Sequence, residues 1–206
     1  MNNVGLIYVG AVLFLNGLML LGKVTGRAAA PLNLFVGGLQ CITPTVLIIQ
    51  AGADTDAVFA ASGLFLFGFT YLYVGIANLA DLAPEGLGWF CLFVAVAAVS
   101  YAGFSFWRDG DPVFGVIWLA WALLWFLFFL VLGLGMDRLS TFTAWTVLLL
   151  SQPTTTLPAF AAMTGGYQAT ATVATVGALG CLALVGIAAV LAGRRGSTLV
   201  SQPAHT

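Results

Sequence analysis

The chain has 206 residues, of which 61% are hydrophobic and only 6% are charged, with a formal net charge of −1 at pH 7. Soluble domains carry about 25% charged residues, so this composition excludes an ordinary soluble protein. With only six basic residues, we also expect no nucleic-acid partner. The composition instead indicates a protein that lies largely within a membrane.

Seven apolar runs follow one another along the chain, and no charged side chain falls inside any of them. Crossing a bilayer core of about 30 Å takes roughly 20 apolar helical residues. The runs lack the two-residue alternation of membrane barrel strands. They occupy approximately residues 4–22, 32–52, 58–80, 87–106, 113–135, 142–162 and 169–191. We therefore predict an all-α integral membrane protein, a compact bundle of six transmembrane helices with a seventh added.

A short repeat suggests how the first six helices pair. Residues 8–10 (YVG) of the first run recur as 73–75 in the third, and residues 34–36 (LFV) of the second recur as 92–94 in the fourth. This pattern predicts three two-helix hairpins. We expect a six-helix domain over 1–168, an additional transmembrane helix over 169–192 and a disordered cytoplasmic tail over 193–206.

The distribution of basic residues predicts the orientation in the membrane. Basic residues favour the cytoplasmic side of short loops. With the N-terminus outside and the C-terminus in the cytoplasm, five of the six basic residues lie inside: Lys23, Arg27, Arg138, Arg194 and Arg195. We therefore expect a multi-pass protein of the cell inner membrane in that orientation.

The absence of charges from the runs also excludes several activities. Ion pumps and intramembrane enzymes need ionisable groups in their spans, and the one histidine, His205, lies in the predicted tail. Cys41, Cys91 and Cys181 lie in three different runs without a nearby histidine, as expected of small buried side chains. We predict no enzyme activity, no catalytic residue, no metal, no cofactor and no disulfide.

Three tryptophans form a stripe in the fifth run. Trp118, Trp121 and Trp125 stand at i, i+3 and i+7, which places them on one helix face. An interfacial belt is one interpretation, but Trp121 and Trp125 lie near mid-span. Helix packing is the second interpretation, and lining of a pore is the third.

Two further runs carry candidate residues. In the third run, Phe69 and Tyr73 are one turn apart on one face. In the first run, Leu6, Leu13 and Asn16 share a face, although an asparagine at this depth most often hydrogen-bonds another helix. In the sixth run, prolines at positions 153 and 158 predict a kinked helix, because proline interrupts the backbone ladder.

Five of these segments, taken together and in order, resemble the AmiS/UreI family of bacterial urea and amide channels. They are residues 6–10 (LIYVG) with Asn16 and Gly17, 33–39 (NLFVGGL), 67–73 (FGFTYLY), 117–121 (IWLAW) with Trp125, and 142–145 (FTAW). The chain looks more similar to the amide-associated members than to the acid-gated urea channel. At the position of that channel's sixth-span carboxylate this chain has Leu150, and its external loops have no histidine.

The resemblance implies facilitated diffusion of small neutral amides or urea through a narrow pore in each protomer. It also implies a homo-oligomer, expected to be a hexamer embedded in membrane lipid, that serves a cytoplasmic amidase or urease. Positions that match the family's pore lining are Leu6, Leu13, Phe69, Tyr73, Trp118, Trp121, Leu124 and Trp125, to which the first run adds Asn16 as a candidate. The alternatives are an ion-coupled amide transporter and a membrane scaffold for a cytoplasmic amidase.

Overall fold

The computed structural model describes residues 2–200, and the side-chain environments of residues 3–194. Its helices are α1 (Asn2–Leu20), α2 (Gly26–Ala51), α3 (Thr55–Ala80), α4 (Glu85–Trp107), α5 (Pro112–Phe128), α6 (Ser140–Ser151), α7 (Leu157–Met163) and α8 (Ala171–Val200). A π-helical segment, Phe129–Gly133, extends α5, and a 3₁₀ turn, Asp137–Leu139, precedes α6. Residues 2–200 contain no strand, which confirms the all-α prediction.

Six helices within the described part of the chain are long and apolar enough to cross a membrane, namely α1 to α5 and α8. The remaining predicted span is interrupted, because a π-helical segment, Gln152–Thr156, joins α6 to α7. Pro153 lies in this segment and Pro158 in the first turn of α7. Proline supplies no N–H to the backbone ladder, so the predicted kink takes the form of a change in helix type.

The helix pairs that pack most extensively are α2 with α3, α4 with α5, and α1 with α6. The pairs expected from the sequence repeat, first with second, third with fourth and fifth with sixth, pack less extensively. Glycines explain the difference. A Cβ at Gly37 would lie 2.9 Å from the carbonyl oxygen of Gly68, and a Cβ at Gly17 would lie 3.2 Å from the backbone nitrogen of Leu148. Small residues let helix backbones approach this closely in membranes.

Helix α8 lies on the outside of the six-span bundle, against α5 and α6. Only 11% of its apolar segment is buried. The helix runs on to Val200, so that it includes residues 193–200 of the predicted disordered tail of 193–206. Residues 201–206, with His205, lie outside the described residues.

Charged side chains between the spans stabilise the helix ends. The carboxylate of Asp54 accepts hydrogen bonds from two backbone N–H groups of the first turn of α3, at 3.0 and 3.1 Å. Asp111 caps α5 in the same way, at 3.1 and 3.0 Å. At the opposite end of the bundle, Arg27 and Asp81 form an ion pair of 2.7 Å. Anions near helix N-termini are favourable because of the unpaired N–H groups there.

Candidate functional site

Two cavities lie at opposite ends of the bundle, along α1, α3, α4 and α5. The N-side cavity, of about 210 Å³, lies where α1, α3 and α5 begin. The C-side cavity, of about 130 Å³, lies where they end. A cavity needs only about 10–15 Å³ to hold one water, so each can hold a small organic molecule.

An aromatic barrier, which we define as Phe67, Trp121 and Trp125, separates the two cavities. The Phe67 ring centroid lies 4.9 Å from that of each of the two indoles, in edge-to-face geometry. The three side chains are no more than 2% exposed. Trp121 lines the N-side cavity and Trp125 the C-side cavity, so the cavities end on successive turns of α5.

Threonine hydroxyls hold both indoles of the barrier. The Nε1 of Trp121 donates to Thr154 Oγ1 at 3.1 Å, and the Nε1 of Trp125 donates to Thr70 Oγ1 at 3.0 Å. Each threonine in turn donates to a backbone carbonyl of its own helix, at 2.8 and 2.7 Å. The indole N–H groups are therefore engaged, and it is the ring faces and edges that border the cavities.

The interrupted sixth span packs against the barrier through Thr154, which accepts the hydrogen bond of Trp121. Thr154 lies in the π-helical segment between α6 and α7, and it is 1% exposed. The neighbouring Gln152 donates through Nε2 to the carbonyl oxygen of Gly10 at 3.0 Å, which ties the same segment to α1. The proline-induced change of helix type thus places a hydroxyl against Trp121.

Seven of the nine predicted site residues lie inside the bundle. Those that line the N-side cavity are Leu6, Trp118 and Trp121. Those that line the C-side cavity are Leu13, Asn16 and Trp125. Leu124 is fully buried but borders neither cavity.

Asn16 hydrogen-bonds a residue of another helix, as its position deep in the first span predicted. Its Nδ2 donates to Asn33 Oδ1 at 3.0 Å, and Asn33 Nδ2 donates back to Asn16 Oδ1 at 2.8 Å. This reciprocal pair joins α1 to α2. Asn16 also borders the C-side cavity, so it shapes the wall while its amide is already paired.

The structure places two predicted pore residues of the third span away from both cavities. Phe69 is 53% exposed on the outside of the protomer. Tyr73 is half-buried, with its hydroxyl close to Gly86 at the start of α4. The residues two positions earlier, Phe67 and Tyr71, border the cavities instead. Two residues turn a helix by about 200°, so both pairs have the same spacing but face opposite ways.

Two buried polar side chains near the barrier were missed at the sequence level. Tyr71 lines the C-side cavity and Gln40 lines the N-side cavity. The Tyr71 hydroxyl and the Gln40 Oε1 are buried atoms without a hydrogen-bond partner among the described residues. Both residues are 1% exposed. Thr70, on the same face as Phe67 and Tyr71, was the available signal for that face of α3, since a mid-span hydroxyl favours an interior position.

The rim of the N-side cavity is joined to the segment that precedes α8. Tyr167 donates its hydroxyl to Asp111, at 2.8 and 2.9 Å from the two carboxylate oxygens. Burial, together with this hydrogen bond and the charge of Asp111, raises the pKa of Tyr167 above its ordinary value. Because Asp111 also caps α5, the connection to the added helix is fastened to the helix that carries the tryptophans.

Comparisons with known proteins place this arrangement among membrane transporters. The profile described as the AmiS/UreI family transporter matches residues 1–166. A putative transporter protein AmiS2 of Rhodococcus erythropolis is 62% identical, over 98% of this chain and 98% of its own. A putative amidate substrates transporter protein of Mycolicibacterium smegmatis is 52% identical, over 93% of this chain and 87% of its own. An acid-activated urea channel of Helicobacter pylori is 34% identical, over 75% and 93%.

Solved structures agree with these sequence matches. The cryo-electron-microscopy structure of the Helicobacter pylori urea channel in closed state superposes with a TM-score of 0.74 at 31% identity. The superposition covers 82% of this chain and 100% of the urea channel chain. A crystal structure of the same urea channel gives a TM-score of 0.73.

Proposed function

Because the chain belongs to the AmiS/UreI family of membrane transporters, we propose that each protomer conducts small neutral amides, short-chain aliphatic amides or urea, by facilitated diffusion. The observation that carries the proposal is the aromatic barrier between two cavities inside a single protomer. A solute that crosses from one cavity to the other passes the indoles of Trp121 and Trp125 on successive turns of α5. The names of the relatives, an amidate substrates transporter and a urea channel, support this class of solute.

The barrier favours uncharged solutes over ions. Phe67, Trp121 and Trp125 carry no charge, and the neighbouring Leu13 is also buried. Apolar constrictions of this kind exclude hydrated ions, because nothing replaces the lost hydration shell. A planar amide can instead slide between aromatic faces, which offer dispersion contacts over a large area.

Beyond the barrier, the hydroxyl of Tyr71 offers a hydrogen bond to the solute. Burying an amide without a partner costs about 1–3 kcal/mol by protein mutational data. The Tyr71 hydroxyl has no partner among the described residues, so it can donate to the solute carbonyl or accept from its N–H. A single such bond offsets desolvation and is weak enough to permit release, as conduction requires.

Passage also requires the rings of the barrier to move, because Phe67 and the two indoles are in contact. Each indole is held by one hydrogen bond to a threonine. If the Trp121 indole turns slightly while its Nε1 stays bonded to Thr154, its ring moves away from Phe67 and no helix has to move. We therefore propose that rotation of side chains, and not movement of whole helices, opens the path for the solute.

We further propose the setting in which the pore works. The predicted orientation has the N-terminus outside and the C-terminus in the cytoplasm of the inner membrane, so the N-side cavity opens outward. Large exposed apolar side chains, among them Phe35 at 75% and Phe93 at 62%, support burial against lipid or further copies of the chain. The proposed assembly is a homo-oligomer, a hexamer, that supplies a cytoplasmic amidase or urease.

The direct test is stopped-flow light scattering of proteoliposomes challenged with acetamide and with urea. Fast flux that rises almost linearly with solute concentration is the expected result. Flux equal to that of empty liposomes would overturn the proposal and favour the scaffold alternative. Accumulation of labelled amide above equilibrium, abolished by an uncoupler, would indicate ion coupling instead.

A further inference from the structure

We infer that Gln40 forms an amide-recognition subsite at the floor of the N-side cavity, an inference that rests on the proposed function. Its side-chain carboxamide hydrogen-bonds the amide group of the solute before the solute enters the aromatic barrier. The ligand class is a neutral molecule with at least one N–H beside a carbonyl group, as in primary amides and urea.

The first support is the unfinished hydrogen bonding of a buried group. Gln40 is 1% exposed, and its Oε1 has no partner among the described residues. The buried carboxamides of Asn16 and Asn33, by contrast, bond each other, and the half-buried Gln152 donates to Gly10. Buried polar groups without a partner are uncommon in proteins, because the lost hydration is not replaced. Oε1 is itself buried, against Gly5 of α1, so a solute N–H completes its bonding when the carboxamide turns about its last torsion toward the cavity.

The second support is the position of Gln40 relative to the barrier. A Cβ at Gly68 would lie 3.0 Å from the backbone carbonyl oxygen of Gln40, so α2 and α3 are in close contact at this level. Phe67, the next residue of α3, belongs to the barrier and also lines the N-side cavity. Gln40 therefore stands beside the N-side edge of the barrier and not at the open rim.

The third support is the room made for this side chain by α1. A Cβ at Gly5 would collide with the Oε1 of Gln40. The absence of a side chain at Gly5 lets Oε1 lie against α1 and leaves the carboxamide free to turn between α1 and the cavity. Both Gln40 and the neighbouring Leu6 border the same cavity, so a solute held by Gln40 would contact an apolar wall on its other side.

The chemistry of the pairing is already present elsewhere in this protein. Asn16 and Asn33 form two reciprocal N–H to carbonyl hydrogen bonds, at 3.0 and 2.8 Å. The Gln40 carboxamide can form the same reciprocal pair with a primary amide. Each of the two groups carries one carbonyl acceptor beside an NH₂ group with two N–H donors. A ketone or a fully N-substituted amide has no N–H for Oε1 and forms at most half of the pair.

The test measures flux of acetamide, N-methylacetamide and N,N-dimethylacetamide, which have two, one and no N–H groups. Gln40→Met keeps an unbranched side chain but removes the carboxamide. We expect it to lower acetamide flux about three- to tenfold, since one net hydrogen bond is lost. The loss should be smaller for N-methylacetamide and absent for N,N-dimethylacetamide. Equal losses for all three solutes, or an unchanged acetamide flux, would overturn the subsite.

Two further variants separate recognition from folding. Gly5→Ala displaces the Gln40 carboxamide without altering it, so it should produce a smaller loss with the same dependence on N–H number. Gln152→Met removes a half-buried carboxamide from the contact of the π-helical segment with α1, so any loss of flux should be equal for the three solutes. Absence of acetamide flux in the unmodified protein would overturn both the proposed function and the subsite. Normal acetamide flux with ungraded losses in Gln40→Met and Gly5→Ala would overturn the subsite alone.

Discussion

Helices α5 and α8 are both apolar enough to cross a bilayer, yet their surroundings differ. In α5 with its π-helical extension, 61% of the apolar segment is buried, compared with 11% in α8. Helix α5 carries the tryptophans that face Phe67, whereas a Cβ at Gly177, Gly180 or Gly186 of α8 would meet no atom within 4 Å. Lipid tails are as apolar as leucine, so hydropathy alone does not draw a helix into the bundle. Close packing and hydrogen bonds make the difference.

The largest expected effect comes from removing one tryptophan of α5. Trp121→Ala opens the barrier between the cavities and should change acetamide flux about tenfold or more, because 1.4 kcal/mol in a barrier corresponds to a factor of ten. Stopped-flow measurements on proteoliposomes would detect it. Trp107→Ala is the matched control, since that indole is 87% exposed at the end of α4. Equal effects of the two substitutions would mean that the stripe serves only packing.

A second comparison concerns glycines at close and open positions. A Cβ at Gly88 would collide with the backbone of Gly133 in the extension of α5, so Gly88→Ala should destabilise the protein by about 1–3 kcal/mol. Gly180→Ala in α8 should be neutral or stabilise the protein by up to about 1 kcal/mol, because alanine favours helix. Thermal unfolding of the purified protein in detergent would measure both. Similar losses would mean that α8 has a tight contact at Gly180 in the membrane.

A third comparison concerns threonines. Thr154→Val leaves the Nε1 of Trp121 without its acceptor and should cost about 1 kcal/mol of stability, near the range measured for hydrogen bonds inside membrane proteins. Thr175→Val in α8 removes only an exposed hydroxyl bonded to its own helix at 2.8 Å, so a change below about 0.5 kcal/mol is expected. Chemical or thermal unfolding in detergent distinguishes these outcomes. A larger loss from Thr175→Val would contradict the peripheral position of α8.

The smallest expected effect is that of pH. We expect acetamide flux to be nearly constant from about pH 5 to 7.5, because histidine normally titrates there and the one histidine is His205 of the tail. The contact between Asp111 and the segment before α8 should persist as well. The raised pKa of Tyr167 means that its stabilising effect is present at low pH and declines only as pH rises above about 10, the ordinary tyrosine value. Steep activation on acidification, measured by stopped flow, would contradict this prediction.

The helical spans could be predicted because their signal is local. Uncharged runs long enough to cross a bilayer must be helical, and six of the seven appear as single long helices. The stripe of Trp118, Trp121 and Trp125 was also predictable, because residues at i, i+3 and i+7 share a face in any helix. The pairing of the helices was harder to predict, since short repeats in an apolar chain arise easily while the glycine contacts are specific.

The candidate site was only partly predictable. The sequence FGFTYLY offers two aromatic pairs at the same spacing, Phe67 with Tyr71 and Phe69 with Tyr73, and spacing alone does not say which pair faces inward. The bond from Trp125 to Thr70 and the contact of Gly68 with α2 select the first pair. Gln40 is polar at mid-span, which favours an interior position, but its missing partner becomes visible only when α1, α2 and α3 are assembled.

The sequence by itself determined that this protein is a helical membrane protein with uncharged spans, a tryptophan stripe and a kinked sixth span. These properties depend on hydropathy, helical periodicity and proline chemistry, which act over a few turns of one helix. Only the tertiary structure decided which aromatic residues form the barrier, which threonines hold them and which carboxamide lacks a partner. Those properties depend on contacts between helices, and neither composition nor spacing within one helix specifies its neighbour.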